Sequence, residues 1–243
     1  MMNGHTTDIA KESRFLRALP RAAAEVLATS VQTRALAPKQ WGARQGDPAR
    51  ALAWIHSGLL SVFYEAADGS TSPHRIVWPN EVSCLGLSAS AEYPASSLAL
   101  TPVTYYWVPE DALEPAFRQV PELAYSLLCY IARQEETSAV WSTRLLALPV
   151  EGRLRFVLAR MTAEMGRPHE SGRLLEFAVT TKVLSTLTHA SRDEVGRAVR
   201  ELAAQGMVKR LQGRQLLVTD SAELLGPSLV EPMAKLGLFT AAG

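Results

Sequence analysis

The clearest alternation of apolar and polar positions lies near the C-terminal end of the chain, in residues 179–219. Four apolar residues there recur at i, i+3, i+4 and i+7, which predicts an amphipathic helix. These residues are Val195, Ala198, Val199 and Leu202. Ser191 and Glu194 form a capping-box sequence before the stripe, and Gly206 follows it as a helix-ending glycine. We therefore predict a short helix bounded by these signals.

The opposite side of this helix carries charged side chains. At about 100° per residue, Asp193, Arg197 and Arg200 lie opposite the apolar stripe, and Arg192 lies on the first turn near its flank. Guanidinium groups near the N-terminus of a helix are typical of helices that contact DNA bases in the major groove. The alternative is an ordinary solvated face in which Asp193 and Arg197 form an i, i+4 pair.

A short helix before this one and a hairpin after it complete the pattern. Residues 207–211 and 215–219 alternate around Gln212-Gly213, which predicts a two-stranded wing. The order of helix, turn, basic helix and wing favours DNA binding over a solvated surface.

The N-terminal half has a different pattern. Residues 14–27 predict short helices broken at Pro20. Residues 31–110 then form short runs of Val, Leu, Trp, Tyr and Thr separated by turn residues, which indicates a β-barrel or β-sandwich. Asp68-Gly69 predicts a hairpin between residues 59–65 and 71–78, and Trp54, Tyr105, Tyr106 and Trp107 are assigned to the core and the sheets.

Residues 121–146 predict one long helix. Its apolar positions alternate spacings of three and four, which favours a dimer seam, with packing on its own domain as the alternative. The seam positions begin at Ala124 and continue through Leu127, Ile131, Gln134, Ser138, Trp141 and Leu145. Pro149 and Gly152 indicate a hinge, and residues 152–165 predict a further helix.

Charge is distributed unevenly along the chain. The whole chain of 243 residues has a formal net charge of +1. Residues 147–220 carry twelve Lys or Arg and eight Asp or Glu side chains, a net charge of +4, which leaves −3 elsewhere. A basic C-terminal part fits a local DNA contact surface.

Several classes of protein are disfavoured. Cys84 and Cys129 are the only cysteines, too few for a disulfide framework or a four-cysteine metal site. The first residues have no apolar segment typical of a signal peptide, and no run of 18 apolar residues occurs, so we expect a cytoplasmic protein with no membrane partner. No Ser-His-Asp order, GxSxG, Walker loop or HExxH is present, so an enzyme is the least favoured class.

Residues 180–219 resemble the winged helix-turn-helix of the Crp/Fnr family of bacterial transcription regulators. The family's Ser-Arg-Glu and following Arg are matched by Ser191, Arg192, Asp193 and Arg197, with Asp for Glu, and His189 replaces the usual turn glycine. The resemblance implies that Arg192 and Arg197 donate to guanine and that Asp193 accepts from cytosine. The residues assigned to DNA contact are Thr180, Ser191, Arg192, Asp193, Arg197, Arg200, Lys209 and Arg210.

The N-terminal half resembles the cyclic-nucleotide-binding-like jelly roll of the same family. The matching sequences are Gln45-Gly46-Asp47-Pro48, Trp54-Ile55-His56-Ser57-Gly58, Asp68-Gly69 and Val108-Pro109. The implied fold class is α+β: a sensor jelly roll over residues 14–120, a dimerisation helix over 121–148, a winged helix-turn-helix over 149–220 and a tail over 221–243.

The effector pocket of such a jelly roll maps to five residues: Cys84, Leu85, Tyr93, Ser96 and Ser97. Leu85 stands where the family's ribose-binding Glu would be, and Tyr93 stands near the position of its phosphate-binding Arg. The nearest basic residue upstream is Arg75. A buried phosphate needs a cation or several N–H donors, so the sequence does not predict cAMP binding in the usual way.

Some members of the family bind haem through protein ligands. In this sequence the candidate ligands are isolated from one another. His56, His74 and Cys84 each stand alone, which is more typical of hydrogen-bonded or small buried residues than of metal ligands. We therefore assign no metal and leave the effector unknown.

The sequence as a whole predicts a dimeric transcription regulator that binds palindromic double-stranded DNA and acts with RNA polymerase. The alternative is a ligand-binding regulatory module whose winged helix docks a protein partner.

Overall fold

The structure is a computed structural model that describes residues 9, 13–83, 87, 91–219 and 221–225. The chain divides into two compact units, Met1–Glu135 and Glu136–Gly243. The boundary falls inside the long helix, so each unit contains part of it. The two units are described separately below.

Before the strands, residues 13–31 of the first unit contain two short helices, α1 (Arg14–Arg17) and α2 (Arg21–Ser30). Ser13 caps α1, because its Oγ accepts a hydrogen bond from the Leu16 N–H at 3.2 Å. The same Oγ accepts from Trp54 Nε1 at 3.0 Å, which ties the helix to the sheet behind it. The predicted break at Pro20 is confirmed, since Pro20 precedes the first residue of α2.

The described residues that follow form eight antiparallel strands. They are β1 (Gln32–Leu36), β2 (Trp41–Ala43), β3 (Ala51–Ser57), β4 (Leu60–Glu65), β5 (Thr71–Val77), β6 (Val82–Ser83), β7 (Ser96–Ala99) and β8 (Val103–Pro109). One sheet has the order β1-β8-β3-β6, and the other has the order β2-β7-β4-β5. Two facing four-stranded sheets with these crossovers form the predicted jelly roll.

The turn between β4 and β5 is also as predicted. Gly69 adopts a positive φ of 80°, and the Ser70 N–H donates to Asp68 Oδ1 at 2.8 Å. Pairing then runs from Glu65↔Thr71 to Leu60↔Val77, with an irregularity between Val62 and Phe63.

Apolar residues fill both sides of the first sheet. Trp54 and Tyr106 are buried against the helices, and the Phe15 ring lies 4.8 Å from the Trp54 ring. Tyr105 and Trp107 alternate with them and are half-buried. Between the two sheets the buried residues are Leu36, Ile55, Leu60, Val62, Val77, Ala95, Ala99 and Val103.

Helix α3 (Glu110–Gln119) follows β8, and the long helix α4 spans Glu122–Leu146. The next helix, α5, spans Val150–Met165, and the short segment 147–149 connects it to α4. Gly152, predicted to lie at a hinge, lies in the first turn of α5, where an added Cβ would lie 3.3 Å from the Leu148 Cβ. This glycine is therefore part of the helix and not of the connecting segment.

The rest of the second unit surrounds α5, whose predicted apolar residues Leu154, Val157, Leu158 and Met161 are fully buried. The elements are β9 (Arg167–His169), β10 (Gly172–Leu175), α6 (Thr181–Thr188), α7 (Arg192–Ala204), β11 (Val208–Arg210), β12 (Leu216–Val218) and α8 (Ser221–Leu225). The strands form one antiparallel sheet in the order β11-β12-β10-β9. No helix among the described residues is long and apolar enough to span a bilayer.

Candidate nucleic-acid interface

Helix α6 and the turn after it set the position of the next helix. The Thr180 hydroxyl caps α6 by accepting from the Val183 N–H at 3.2 Å. The helix ends at His189, which has φ 51° and ψ 42°, the left-handed conformation that glycine favours. His189 therefore adopts the backbone geometry expected from the family's turn glycine.

Helix α7 has the predicted capping box at its start. The Glu194 N–H donates to Ser191 Oγ at 3.3 Å, and the Ser191 N–H donates to Glu194 Oε2 at 2.9 Å. The hydrogen bond from the Ser191 side chain lowers the pKa of Glu194 below its ordinary value, and the charges of Arg197 and Arg153 act in the same direction.

The apolar stripe of α7 is buried as predicted. The residues are Val195, Ala198, Val199 and Leu202. Gly206 follows the helix with a φ of 77°, as its helix-ending role requires. Helix α7 is thus fixed on one side and capped at both ends.

The opposite side of α7 is open to solvent. Arg192, Asp193, Arg197 and Arg200 are all exposed. Within the described part of the chain, no hydrogen bond or ion pair engages Arg192, Asp193 or Arg197, so the alternative Asp193–Arg197 pair does not form. Three polar side chains are therefore available to an external partner.

The wing forms a hairpin slightly shorter than predicted. Strands β11 and β12 pair from Val208↔Val218 to Arg210↔Leu216. The loop between them includes Gly213 at φ 66° and Arg214 at φ 62°. Lys209 and Arg210 are both exposed on β11.

A cavity of about 430 Å³ lies between the start of α6, the middle of α7 and the wing. Its lining includes three arginines, Arg200, Arg210 and Arg214, together with Thr180 and Thr181. Arg210 Nη1 donates to the Val179 carbonyl at 3.1 Å, which holds this side chain in place. Three guanidinium groups beside a helix N-terminus create a positive potential suited to phosphate.

Arg214 was not among the residues predicted from the sequence. It has no periodic pattern around it, because it lies in the loop of the wing. The sequence signal that locates it is its place directly after Gly213, at the tip of a predicted hairpin.

The predicted effector residues fall into two groups. Cys84 and Leu85 lie outside the described residues. Ser96 is buried and hydrogen-bonded within the protein: its Oγ accepts from the Gln45 N–H at 2.9 Å and donates to Glu65. Ser97 is also buried, and burial raises the pKa of Tyr93 above its ordinary value.

Arg75 is engaged by two carboxylates. Its Nη2 lies 3.0 Å from Glu81 Oε2, and its Nη1 lies 2.8 Å from Glu135 Oε1. Arg75 therefore already has two counter-charges, while its Nε is buried without a hydrogen-bond partner among the described residues.

The isolated histidines contact aromatic rings. His56 lies 5.2 Å from the Tyr106 ring, and His74 lies 5.2 Å from the Tyr64 ring. In the part of the chain that the structure describes, no three His, Cys, Asp or Glu side chains gather in a way that could hold a metal ion.

The predicted dimer seam of α4 largely faces its own chain. Leu127, Gln134, Trp141 and Leu145 are buried, and Ile131 and Ser138 are half-buried. Leu127 and Ile131 pack in the core of the first unit, and Trp141 stacks on Phe156 with ring centroids 4.2 Å apart. The heptad spacing therefore marks a stripe that is buried or half-buried within the chain.

A second heptad repeat on α4 is exposed. Its apolar members are Tyr125, Leu128, Ala132, Ala139 and Leu146. Tyr125, Leu128 and Leu146 are 71%, 63% and 54% exposed, which makes them the three most exposed large apolar residues of the described chain. We call this set the exposed stripe.

Comparison with known proteins gives relatives for most of the chain. No protein-family profile matches. The chain is 25% identical over 181 residues to the CRP-like cAMP-activated global transcriptional regulator of Mycobacterium tuberculosis, covering 74% of this chain and 80% of that protein. It is 22% identical over 181 residues to the transcriptional activator protein anr of Pseudomonas aeruginosa, covering 74% of each. Both relatives are named as regulators of transcription, the class that the sequence predicts for this chain.

Solved structures share the fold. A CRP-family transcriptional regulator from Thermus thermophilus superimposes with a TM-score of 0.64 at 19% identity, covering 79% of this chain and 94% of that one. FixK2 from Bradyrhizobium japonicum superimposes with a TM-score of 0.64 at 15% identity, covering 88% and 99%. The chain is thus similar in sequence to transcription regulators over most of its length, and it contains a jelly roll, a long helix and a winged helix-turn-helix in the order that the resemblance to the Crp/Fnr family implies.

Proposed function

We propose that the chain is a dimeric bacterial transcription regulator that binds a two-fold symmetric site on double-stranded DNA in the cytoplasm. The observation that carries this proposal is the open face of α7. Arg192, Asp193 and Arg197 are exposed and unpaired among the described residues, on a helix fixed by its caps and its buried stripe. Because the helix backbone is already fixed, these side chains can bind without further ordering of the backbone, which favours direct recognition of bases.

Each of these side chains matches one feature of the major groove. Arg192 and Arg197 have the paired donors that guanine O6 and N7 accept, and Asp193 has the acceptors that the cytosine amino group needs. A Crp/Fnr helix that carries Glu in place of Asp193 reaches one methylene further. Asp193 therefore requires a closer approach of α7 to the groove.

The side chains that line the cavity beside α7 would contact the DNA backbone. Arg200, Arg210 and Arg214 line it together with the N-terminal residues of α6, and Lys209 lies exposed on the adjoining strand. Contacts of this kind set the register of a protein on DNA without reading its sequence. We assign phosphate contacts to these four side chains.

Dimerisation would use the exposed stripe of α4. The stripe repeats every seven residues through Tyr125, Ala132, Ala139 and Leu146, as a helix pairing in parallel with its own copy requires. A two-fold pair of long helices would hold two copies of α7 at one separation, which a palindromic site needs.

The jelly roll would sense an effector other than a cyclic nucleotide. One relative is named as cAMP-activated, but Arg75, the cation nearest upstream of the pocket segment, is engaged by Glu81 and Glu135 in this chain. RNA polymerase would be the further partner through which a bound regulator acts on transcription.

Selection of DNA from a random pool tests the proposal. We expect enriched sequences to contain an inverted repeat, with affinity that falls steeply as salt rises because phosphate contacts release counterions. A pool that shows no enrichment, together with salt-independent capture of a protein partner, would instead support a winged helix used for protein docking.

A further inference from the structure

Arg153 connects three separate segments of the second unit. It is half-buried in the first turn of α5, and its guanidinium group donates to four main-chain carbonyls. Arg153 Nε lies 2.8 Å from the Leu148 oxygen, and Nη2 lies 3.2 Å from the Leu146 oxygen. Its Nη1 lies 3.3 Å from the Thr188 oxygen and 3.4 Å from the His189 oxygen.

These carbonyls belong to two places: the end of α4 with its linker, and the turn that leads into α7. A dimer that binds DNA must hold these two places at a fixed separation. Leu146 is the last residue of α4, and Leu148 lies in the linker to α5. Thr188 ends α6, and His189 is the left-handed residue of the turn that leads into α7. The last carbonyls of a helix have no partner within it, so one cation satisfies the ends of both α4 and α6.

Only an arginine can make this set of bonds. Its guanidinium group has five N–H donors in one rigid plane, whereas a lysine ammonium is a point donor on a flexible stem. The charge of Arg153 also acts on Glu194 in the capping box of α7. Arg153 is therefore in contact with the end of the long helix and adjacent to the start of α7.

We propose that Arg153 is a positioning residue that fixes α7 at one distance and angle from the end of α4, and thereby sets the half-site spacing that the dimer reads. This inference rests on the proposed function, because spacing has meaning only for a dimer on two half-sites. Without the four bonds, the linker 147–149 would allow α7 to take several positions.

Arg155 provides a matched comparison on the same turn. Its Nη2 donates to Glu151 and to Gln205 Oε1, both at 2.7 Å, and its Nη1 contacts Met207 Sδ at 3.2 Å. It therefore holds the far end of α7 and has no bond to α4 or to the linker. Its loss should affect stability but not spacing.

The test uses the full chain with Arg153→Lys or Arg155→Lys and duplexes whose two selected half-sites are moved apart or together by one or two base pairs. We expect the wild type and Arg155→Lys to prefer one spacing. For Arg153→Lys, we expect the ratio of affinities between the best and the altered spacings to fall about tenfold, from the loss of about two net hydrogen bonds. Affinity for a single half-site should stay within about threefold, because the reading face of α7 is unchanged.

A second measurement, of a distance within the dimer, excludes effects of unfolding because only folded dimers contribute to it. Spin labels at Glu201→Cys, with both native cysteines changed to Ser, give the distance between the two copies of α7 in the dimer. We expect a narrow distribution that becomes broad with Arg153→Lys and stays narrow with Arg155→Lys. Unchanged spacing preference and an unchanged distribution in Arg153→Lys would overturn this inference alone, whereas a wild type that binds none of the duplexes would overturn the proposed function as well.

Discussion

The Gln134 side chain pairs with the main chain of Val82 as a neighbouring strand would. The Val82 N–H donates to Gln134 Oε1 at 2.7 Å, and Gln134 Nε2 donates to the Val82 carbonyl at 2.9 Å. On its other side, Val82 pairs with Trp54 of β3. The two-residue strand β6 is thus held between a sheet and the long helix, directly before the segment that would contain an effector.

Loss of this pairing should destabilise the first unit. We predict that Gln134→Leu lowers the free energy of unfolding by about 1–3 kcal/mol, because the buried Val82 N–H and C=O would be left without partners. Thermal unfolding followed by tryptophan fluorescence measures the change. The neighbouring Arg133→Ala, at an exposed position, should change stability by less than about 0.5 kcal/mol. Equal effects of the two substitutions would show that the pairing does not contribute to stability.

Base recognition should depend on Arg197 in a way that it does not depend on Lys209. We predict that Arg197→Ala weakens binding to the selected site by about 1–3 kcal/mol and relaxes base preference at one position in each half-site. Lys209→Ala should weaken binding to all sequences alike, because a phosphate contact carries no base information. Competition titrations with single-base variants of the site distinguish the two patterns. An unchanged base preference in Arg197→Ala would contradict the assignment of the reading face.

The two residues with left-handed backbone on either side of α7, His189 and Gly206, should respond to substitution with opposite changes in stability. His189→Gly should raise stability by about 0.5–1 kcal/mol, because glycine adopts φ 51° without the steric cost that other residues bear. Gly206→Ala should lower stability by about 1 kcal/mol, because the backbone has φ 77° there although nothing lies within 4 Å of an added Cβ. Melting temperatures of the two variants should move in opposite directions from the wild type. A shift of both in the same direction would contradict the effect assigned to the left-handed backbone at these two positions.

Cyclic nucleotides should not regulate this protein. A buried cyclic phosphate needs a cation or several N–H donors to replace its hydration, and Arg75, the nearest basic residue upstream of the pocket segment, is engaged by Glu81 and Glu135. We predict no micromolar binding of cAMP or cGMP by calorimetry and no change in DNA affinity when either is added. Micromolar binding that also tightened DNA binding would show that another group in the pocket neutralises the phosphate.

Cross-linking distinguishes the exposed stripe from the seam expected from the sequence. In a chain with Cys84 and Cys129 changed to Ser, Ala132→Cys should form a disulfide between two copies under mild oxidation. Equivalent positions of paired parallel helices approach to within disulfide distance at the contact line. Ser138→Cys, on the seam predicted from the sequence, should not cross-link, since that side of α4 packs within the chain. The reverse result would restore the predicted seam.

Local signals in the sequence predicted the elements of the DNA-binding part well. Ser191, Glu194 and Gly206 act within one or two turns of the chain, and their caps and the buried stripe of α7 form as expected. The hairpin of β9 and β10 was not predicted, because the residues of β9 are all exposed and Pro168 interrupts any strand pattern. That hairpin depends on a distant partner, since β10 pairs with β12.

The long helix shows why packing partners are harder to predict than elements. Leu127, Gln134 and Trp141 share a heptad stripe, and spacing alone gives the same stripe for a partner in the same chain or in a second copy. Gln134 fits a polar seam position by its spacing, yet its partner is the main chain of Val82, 52 residues away in sequence. No local pattern contains that information.

Sedimentation at micromolar concentration, over a series of salt concentrations, measures the stoichiometry of the complex with the selected duplex. We predict two chains per duplex and a linear fall of log affinity with log salt. We also predict that a duplex with one scrambled half-site binds much more weakly. One chain per duplex, or equal affinity for the intact and half-scrambled sites, would contradict a dimeric regulator that reads a two-fold symmetric site.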